Sequence, residues 1–555
     1  MLTIDDLRAH PLFSTLSDDE LGHLAKTSAD LQLCAGEYAV HEGGERALYA
    51  VLSGKLEVSK TFDGIERTLG WRLPGAIFGE IPIALNSTFL ISYRAVEKSR
   101  VMCVDLQRYY ALVAVSPEIG VKMGALAREN IGGLQGIAAE PRQPRVTMVG
   151  SRWNVDCAAL RQFLARNQIS FDWITPDELE RSGRWPGIRP SEDDCPAVRL
   201  VNGTVLTRPG TRELADLLGL HTQPRFAEYD TLIIGGGPAG LAAAVYGASE
   251  GLRTVVLERE APGGQAGTSS RIENYLGFPN GVSGDELANR ALQQAMRLGA
   301  EILVTRSIAR IDVHARYVYL DGGDVLRART IILATGVTWR HLAIEGCDQF
   351  IGKGIYYGAS RSEAIGTHGL DVHLIGGGNS AGQAALYFAN HARTVTLVVR
   401  GDSLEKSMSR YLIEQLDGKS NVIVQLQSEV VSAHGDSCLA AIGVRHGLHG
   451  AVHQYDCGGL FVFIGADAET DWLPAEIARD KRGYVLTGDD VVKAGRWSCS
   501  RDPYLLESSV PGVFACGDVR LSQVKRVASA VGEGSMAIAF VHRYLQQSAT
   551  QHCAR

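Results

Sequence analysis

Residues 230–258 read DTLIIGGGPAGLAAAVYGASEGLRTVVLE, and the punctuation of that stretch decides the fold. An apolar run, Thr231 to Ile234, ends in Gly235, Gly237 and Gly240. A helix of small residues follows, then a second apolar strand, Val255 to Leu257, closing on Glu258. Gly235 permits the tight strand-to-helix turn, Gly237 lets the backbone approach a pyrophosphate, and Gly240 lets the helix pack closely on the sheet. The helix start offers free N–H groups and a partial positive charge to phosphates. Glu258, at the end of the second strand, is placed to accept hydrogen bonds from a ribose 2′-hydroxyl. A glycine turn alone is common; strand, turn, helix, strand and acid in register specify a dinucleotide-binding unit.

A second unit follows at 372–400, VHLIGGGNSAGQAALYFANHARTVTLVVR. Gly376, Gly378 and Ala381 occupy the same frame, with Asn379 and Ser380 opening the helix. This second strand ends not in an acid but in Arg400. An arginine cannot accept from a 2′-hydroxyl but pairs with a 2′-phosphate, which favours NADPH over NADH. Lys406 and Arg410 either add charge or are solvated helix residues. Two units in this order, the first with an acid and the second with an arginine, suggest FAD followed by NADPH.

At 555 residues the chain is too long for one core and is expected to hold three or four domains. Hydrophobic residues at 45% and charged residues at 21% are those of an ordinary globular protein. The net charge of −7 leaves no basic footprint for nucleic acid. No apolar run reaches the roughly 18 residues of a membrane helix. The opening MLTIDDLRAH lacks the apolar core of a secretion signal. The ten cysteines include no two that are three apart, which excludes an ordinary CxxC pair or zinc knuckle. No metal site is expected, and the cysteine usage fits a reduced cytoplasmic compartment.

Residues 30–105 read as many short alternating strands with glycine corners, a small closed β-roll, and helical pattern resumes from Ser116 to about Ile131. The arrangement resembles the cyclic-nucleotide-binding domain, with Phe78-Gly79-Glu80 where that family begins its phosphate-binding turn. The resemblance implies an Arg about ten residues on. Phe89 or Leu90 stands there instead, and Arg94 aligns with the following strand. Cyclic nucleotide is therefore expected to bind weakly or not at all, because a buried phosphate without a cation is costly; the domain reads as a ligand-free scaffold or dimerisation element, with a nucleotide sensor as the other reading. Gly132 to Pro144 reads as a linker. Residues 145–222 resemble a degenerate glutaredoxin or thioredoxin-like domain, with Pro196 at that family's cis-proline. The family's CxxC would span Asn154 to Cys157, and only Cys157 survives. A cysteine inside a helix is a small core residue or, less often, a nucleophile.

From 225 to 545 the chain resembles the low-molecular-weight thioredoxin reductases. The marks are GGGPAG (235–240), PGGQAG (262–267), IENYLGFP (272–279), LATG (333–336), GGGNSAG (376–382) and GVFACGDVRLSQVKRVASAVGEGSMA (512–537). The implied architecture is multidomain: a β-roll (1–135), a thioredoxin-like α/β domain (145–222), then two Rossmann-like α/β domains. These are an FAD domain of 225–340 and 466–550, and an NADPH domain at 341–465. The resemblance places Gly517 and Asp518 at the ribityl chain, Lys525, Arg526 and Val527 at the flavin's pyrimidine edge, and Gly264, Gln265, Thr268 and Asn274 along FAD.

One departure matters most. Thioredoxin reductases carry Cys-x-x-Cys before the second glycine motif, and here residues 354–363 read GIYYGASRSE, with Gly358 and Arg361 at the two positions. Neither side chain forms a disulfide. Chains joining a cyclic-nucleotide-binding-like domain to a reductase without the pair form a recognisable group, which this chain resembles. The expected reaction is hydride transfer from NADPH C4 to flavin N5, then electron transfer directly to a small molecule, quinone, oxygen or ferredoxin-like protein. Arg361 is a candidate for holding an anionic acceptor or anionic reduced flavin; Tyr356 and Tyr357 read as strand packing. The alternatives are a regulatory or scaffold flavoprotein with incidental turnover, and a dithiol enzyme using Cys157 or Cys499. The resemblance also implies a homodimer.

Overall fold

In the computed structural model, the alternating residues between 29 and 105 build two four-stranded antiparallel sheets. Residues 2–553 are described, apart from 63–64, 140–143, 152–153, 183, 270, 359–366, 448 and 523. One sheet runs Ala29–Leu33, Ser99–Asp105, Ala47–Ser53, Ile77–Phe78; the other runs Tyr38–Val40, Ser92–Ala95, Leu56–Phe62, Ile65–Arg72. Val51, Leu56, Phe78, Phe89, Ala95 and Val101 share the core of this roll. A capping box of Ser17 and Glu20 opens the helix Asp18–Thr27, whose Leu21 and Leu24 are buried. The helical pattern expected to stop near Ile131 continues, as Pro117–Ala139. The glycines of GGLQG each cost about 1 kcal/mol of helix propensity but do not end a helix.

The chain divides into two compact units, Met1–Gln143 and Pro144–Arg555. The second contains the stretch 145–222 together with both dinucleotide-binding regions. The sheet of that stretch runs Phe171–Ile174, Val146–Val149, Ala197–Leu200, Val205–Thr207, parallel in the first pair and antiparallel in the others. Polar contacts join it to the residues that follow: Val304 N–H donates to His221 O (2.9 Å), Arg306 Nη1 to Thr222 O (2.7 Å), and Arg212 Nε to Thr305 O (3.1 Å).

The first dinucleotide unit centres on the strand Glu228–Ile234, flanked in parallel by Thr254–Leu257 and Val325–Leu333. The crevice beyond the strand ends, where sequential order breaks, is the place such sheets bind ligands. Val513–Ala515 returns from far along the chain to extend this sheet beside Val325–Leu333. The second unit is a five-stranded parallel sheet, in order Ile355–Tyr357, Gly459–Val462, Asp371–Ile375, Thr394–Val398, Val422–Gln425, with a three-stranded antiparallel sheet beside it. The chain leaves the first unit along Thr338–Trp339 and returns along Ala466–Asp467, paired antiparallel. Both crossings carry the same fastening, a two-pronged ion pair of Arg340 with Asp467 (2.7 and 3.0 Å). No helix among the described residues is long and apolar enough to cross a membrane.

Candidate functional site

The three glycines of the first turn have different reasons to be glycine. Gly235 sits at φ +103°, and a Cβ there would lie 2.4 Å from Ala334 O; on Gly240 it would lie 1.9 Å from Gly235 O. Those two are demanded by the turn and by helix packing. Gly237 is not. Its φ is −72°, open to any residue, and a Cβ would meet only Gly264 Cα at 3.8 Å. It caps the helix Pro238–Ser249 with no side-chain hydrogen bond to the first-turn N–H groups, and Gly237, Pro238 and Ala239 line open space. The approach to this helix start has room for a pyrophosphate, and a side chain at 237 would take up that room.

That space belongs to a cavity of about 600 Å³. Glu258 lines it, 8% exposed, and accepts from Gly236 N–H (2.8 Å) and Glu260 N–H (2.9 Å). Burial pushes its carboxyl above the usual range, only partly offset by those donors. Hydroxyl donors from a ribose would relieve it. Thr335 Oγ1, in the wall, is buried with no partner among the described residues. Gln265 and Thr268 line the cavity, Gln265 Nε2 donating to Val337 O (2.7 Å). At the other wall Gly517 N–H donates to Glu533 Oε2 (2.7 Å), and the Asp518 carboxyl, raised by burial, faces the cavity with Arg526 and Val527. These residues fit a dinucleotide with a polyhydroxyl arm: acceptors for its hydroxyls, helix N–H groups for its phosphates.

Two residues assigned from the resemblance do not line this cavity. Lys525 Nζ donates to Asp518 O (2.6 Å) and Arg520 O (3.0 Å) and lies over the Tyr484 ring. Asn274 is exposed outside it. Several lining residues went unassigned in sequence, among them Arg166, Trp339 and Trp472; Tyr357, read as packing, also lines the wall. Tyr356 stacks on Phe461 at 5.3 Å between ring centres.

The second turn repeats the logic. Gly376, at φ +142°, would place a Cβ 2.6 Å from Phe463 O, and Ala381 is fully buried. Gly378 has an ordinary φ of −93°, and a Cβ would meet nothing nearer than Ser407 O at 4.0 Å. Asn379 Oδ1 accepts from Ser409 N–H (2.7 Å), so it braces the loop 400–409 over the turn, and Ser380 is exposed in the first helical turn. Lys406 is held by Asp402 (2.7 Å) and Arg410 by Glu414 (2.9 Å). Arg400 is exposed at the strand end with no hydrogen bond or ion pair among the described residues. Of the three cations, it is the one left for a ligand.

Residues 229–534, just over half of the chain, match the pyridine nucleotide-disulphide oxidoreductase family. The chain belongs to that family. Residues 30–116 match the cyclic nucleotide-binding domain. A thioredoxin reductase of Peptoclostridium acidaminophilum is 30% identical over 325 residues, 57% of this chain and 97% of that protein. A 34.2 kDa protein in the rubredoxin operon of Clostridium pasteurianum is 31% identical over 319 residues, 57% of this chain and 97% of that protein. The crystal structure of Lactococcus lactis thioredoxin reductase in its FR conformation superposes with a TM-score of 0.52 at 27% identity, covering 57% of this chain and 99% of that one. Thioredoxin-reductase-like proteins of the family bind FAD and NADPH, and the chain is an NAD(P)H-dependent flavoprotein oxidoreductase.

Against the disulphide in the family's description, position 358 is glycine at φ +85°. A Cβ there would lie 3.4 Å from Trp339 and 3.6 Å from Thr268 Oγ1, both in the cavity wall. Arg361 lies outside the described residues. Upstream, Asn154 is a helix cap, its Oδ1 accepting from Cys157 N–H (3.0 Å). Cys157 is fully buried, its thiol pushed up to about 11 by burial, and a Cβ on Gly150 would sit 2.2 Å from its Sγ. It is a packed core residue. The Cys195–Pro196 peptide is cis.

In the β-roll, Phe89 is 2% exposed and meets Phe78, Tyr49 and Tyr93 edge-on, with Phe78 stacked between the two tyrosines. Of the two residues expected in an arginine's place, Phe89 is buried in this aromatic packing and Leu90 is exposed. Arg94 instead binds Glu57 (2.5 and 3.2 Å). Glu80 is buried with Oε1 accepting from Asn130 Nδ2 (2.8 Å) and Oε2 without a partner among the described residues.

Proposed function

We propose that the protein is an NADPH-dependent FAD oxidoreductase that passes electrons from flavin directly to a non-disulfide acceptor: a small molecule, a quinone, oxygen or a ferredoxin-like protein. The observation that carries this reading is the glycine at 358: beside the cavity, where the family's relay begins, the chain offers a hydrogen atom in place of a thiol. Residues 225–340 and 466–550 hold FAD, and 341–465 hold NADPH. Gly235, Gly237 and Gly240 shape the first turn around the flavin dinucleotide's phosphates; Glu258 takes its ribose, Asp518 its ribityl hydroxyls, and Gln265, Arg526 and Val527 its ring end. Gly376, Gly378, Asn379, Ser380 and Ala381 form the NADPH turn, with Arg400 at the 2′-phosphate. When bound, the two cofactors supply hydride transfer and electron delivery. The chain binds and orients them, and no side chain is assigned a proton. The test is an anaerobic NADPH titration of the yellow protein followed by reoxidation with a panel of acceptors. Full bleaching by about one equivalent, with rapid reoxidation by quinone or ferricyanide, supports the reading; no bleaching rejects it.

Preference for NADPH is expected to rest on Arg400. Arg400→Ala should weaken NADPH roughly tenfold, the effect of losing one charge-assisted contact, and leave NADH nearly unchanged. Equal losses for both cofactors, read as KM in steady state, reject the assignment.

The β-roll is expected not to bind cyclic AMP or cyclic GMP. The arginine expected to pair with the phosphate is replaced by Phe89 or Leu90, both apolar, and an unpaired buried phosphate is disfavoured. Calorimetry at submillimolar nucleotide should register no binding heat; micromolar binding of either nucleotide revives the sensor reading.

A further inference from the structure

The loop 258–264 forms one side of the first cavity and is fastened at both edges. On the inner edge, Glu260 N–H donates to Glu258 Oε1 (2.9 Å) and Gly263 N–H to Gly236 O (2.7 Å). The outer edge is held by a residue from outside the dinucleotide fold. Arg166, the last residue of the helix Val155–Arg166, donates from Nη1 to Glu260 Oε2 (2.7 Å) and from Nη2 to Ala261 O (3.1 Å) and Gly264 O (3.3 Å). Its neighbour Asn167 reaches Glu260 O (3.4 Å). Arg166 also lines the cavity with Gln162 one turn earlier, its side chain 16% exposed and its Nε buried without a partner among the described residues.

We propose that Arg166 is a positioning residue of the flavin site: it holds the loop 260–264 against the first glycine turn, and so slows cofactor release. The proposal rests on the reading of this cavity as the FAD site. The planar fork is what the geometry uses, since one guanidinium satisfies a carboxylate and two carbonyls at once, and an ammonium presents no such fork. Gly263 and Gly264 take φ +109° and +55°, so the loop has no stiff side chains of its own to keep its shape. An otherwise degenerate thioredoxin-like segment thereby has a use as a buttress.

The test uses the full chain and the rise in FAD fluorescence on dilution. Arg166→Ala should release flavin about tenfold faster, Arg166→Lys should fall between, and Glu260→Gln should approach the Ala variant. Arg212→Ala, which loosens the same segment at Thr305 without touching the loop, should release at the wild-type rate. The melting temperature of flavin-free Arg166→Ala should match that of flavin-free wild type, which a general packing role would not allow. If Arg166→Ala fails to fold, the Lys and Glu260→Gln variants read the same loop. Wild-type release from the Arg166 and Glu260 variants, or equal acceleration by Arg212→Ala, overturns the proposal. Gly237→Val separates the two readings: if it is colourless while Arg166→Ala releases normally, only the buttress fails; if it keeps flavin, the assignment of the site fails with it.

Discussion

Gly237→Val is expected to yield folded protein without flavin. The substitution is informative because the fold does not need glycine there: φ is −72° and a Cβ has 3.8 Å of clearance to the nearest atom, Gly264 Cα. The isopropyl group fills the space in front of the helix Pro238–Ser249 and blocks the approach of the pyrophosphate to its N–H groups. Near-complete loss of the absorbance at flavin wavelengths is expected, with the circular dichroism of the wild-type apoprotein. The same change at Gly235 or Gly240 should instead damage folding, because a Cβ would sit 2.4 or 1.9 Å from a backbone oxygen. A yellow Gly237→Val protein at wild-type stoichiometry shows that the first turn has been misassigned.

This contrast also explains what the sequence could carry. The glycine turns and their closing residues were legible because every requirement, a positive φ, a close approach or a charge at a strand end, falls within thirty contiguous residues. Asp518, Arg526 and Val527 were legible only through a resemblance, since nothing local says that Val513–Ala515 rejoins a strand some 180 residues earlier. Two others named by the same route lie outside the cavity wall: Lys525, which donates to carbonyls of its own loop, and Asn274, which is exposed. Arg166 was not legible at all, because its partners Glu260, Ala261 and Gly264 lie some 95 residues further along the chain. Phe89 or Leu90 was read as an apolar residue in an arginine's place. That Phe89 sits among three other rings could be known only once two sheets had closed around it. The extended helix Pro117–Ala139 was misread because glycines were weighed as breaks when they are only costs.

Disulfide substrates are expected to give background NADPH oxidation, while quinones and ferricyanide are reduced, and alkylation should not change either result. Position 358 carries no thiol, and a cysteine there would meet a φ of +85°, a conformation costing an L residue roughly 1–2 kcal/mol. The fully buried thiols among the described residues near and beyond the site are poor substitutes. Cys516 adjoins the site through Gly517 but is fully buried, and burial holds its thiol far above the range in which thiolate forms at neutral pH. Cys157 and Cys457, pushed up to about 11 and about 12 by the same cause, are equally unreactive. Cys34 and Cys499 are exposed and will be alkylated first, so they report on any relay assembled from surface cysteines. The measurement is turnover with thioredoxin and an aromatic disulfide, then with a quinone, each before and after iodoacetamide under native conditions. Quinone turnover unchanged by the reagent places no cysteine between NADPH and the acceptor. A robust disulfide rate that alkylation abolishes means that distant cysteines do the work missing at 358, and direct transfer from the flavin has to be given up.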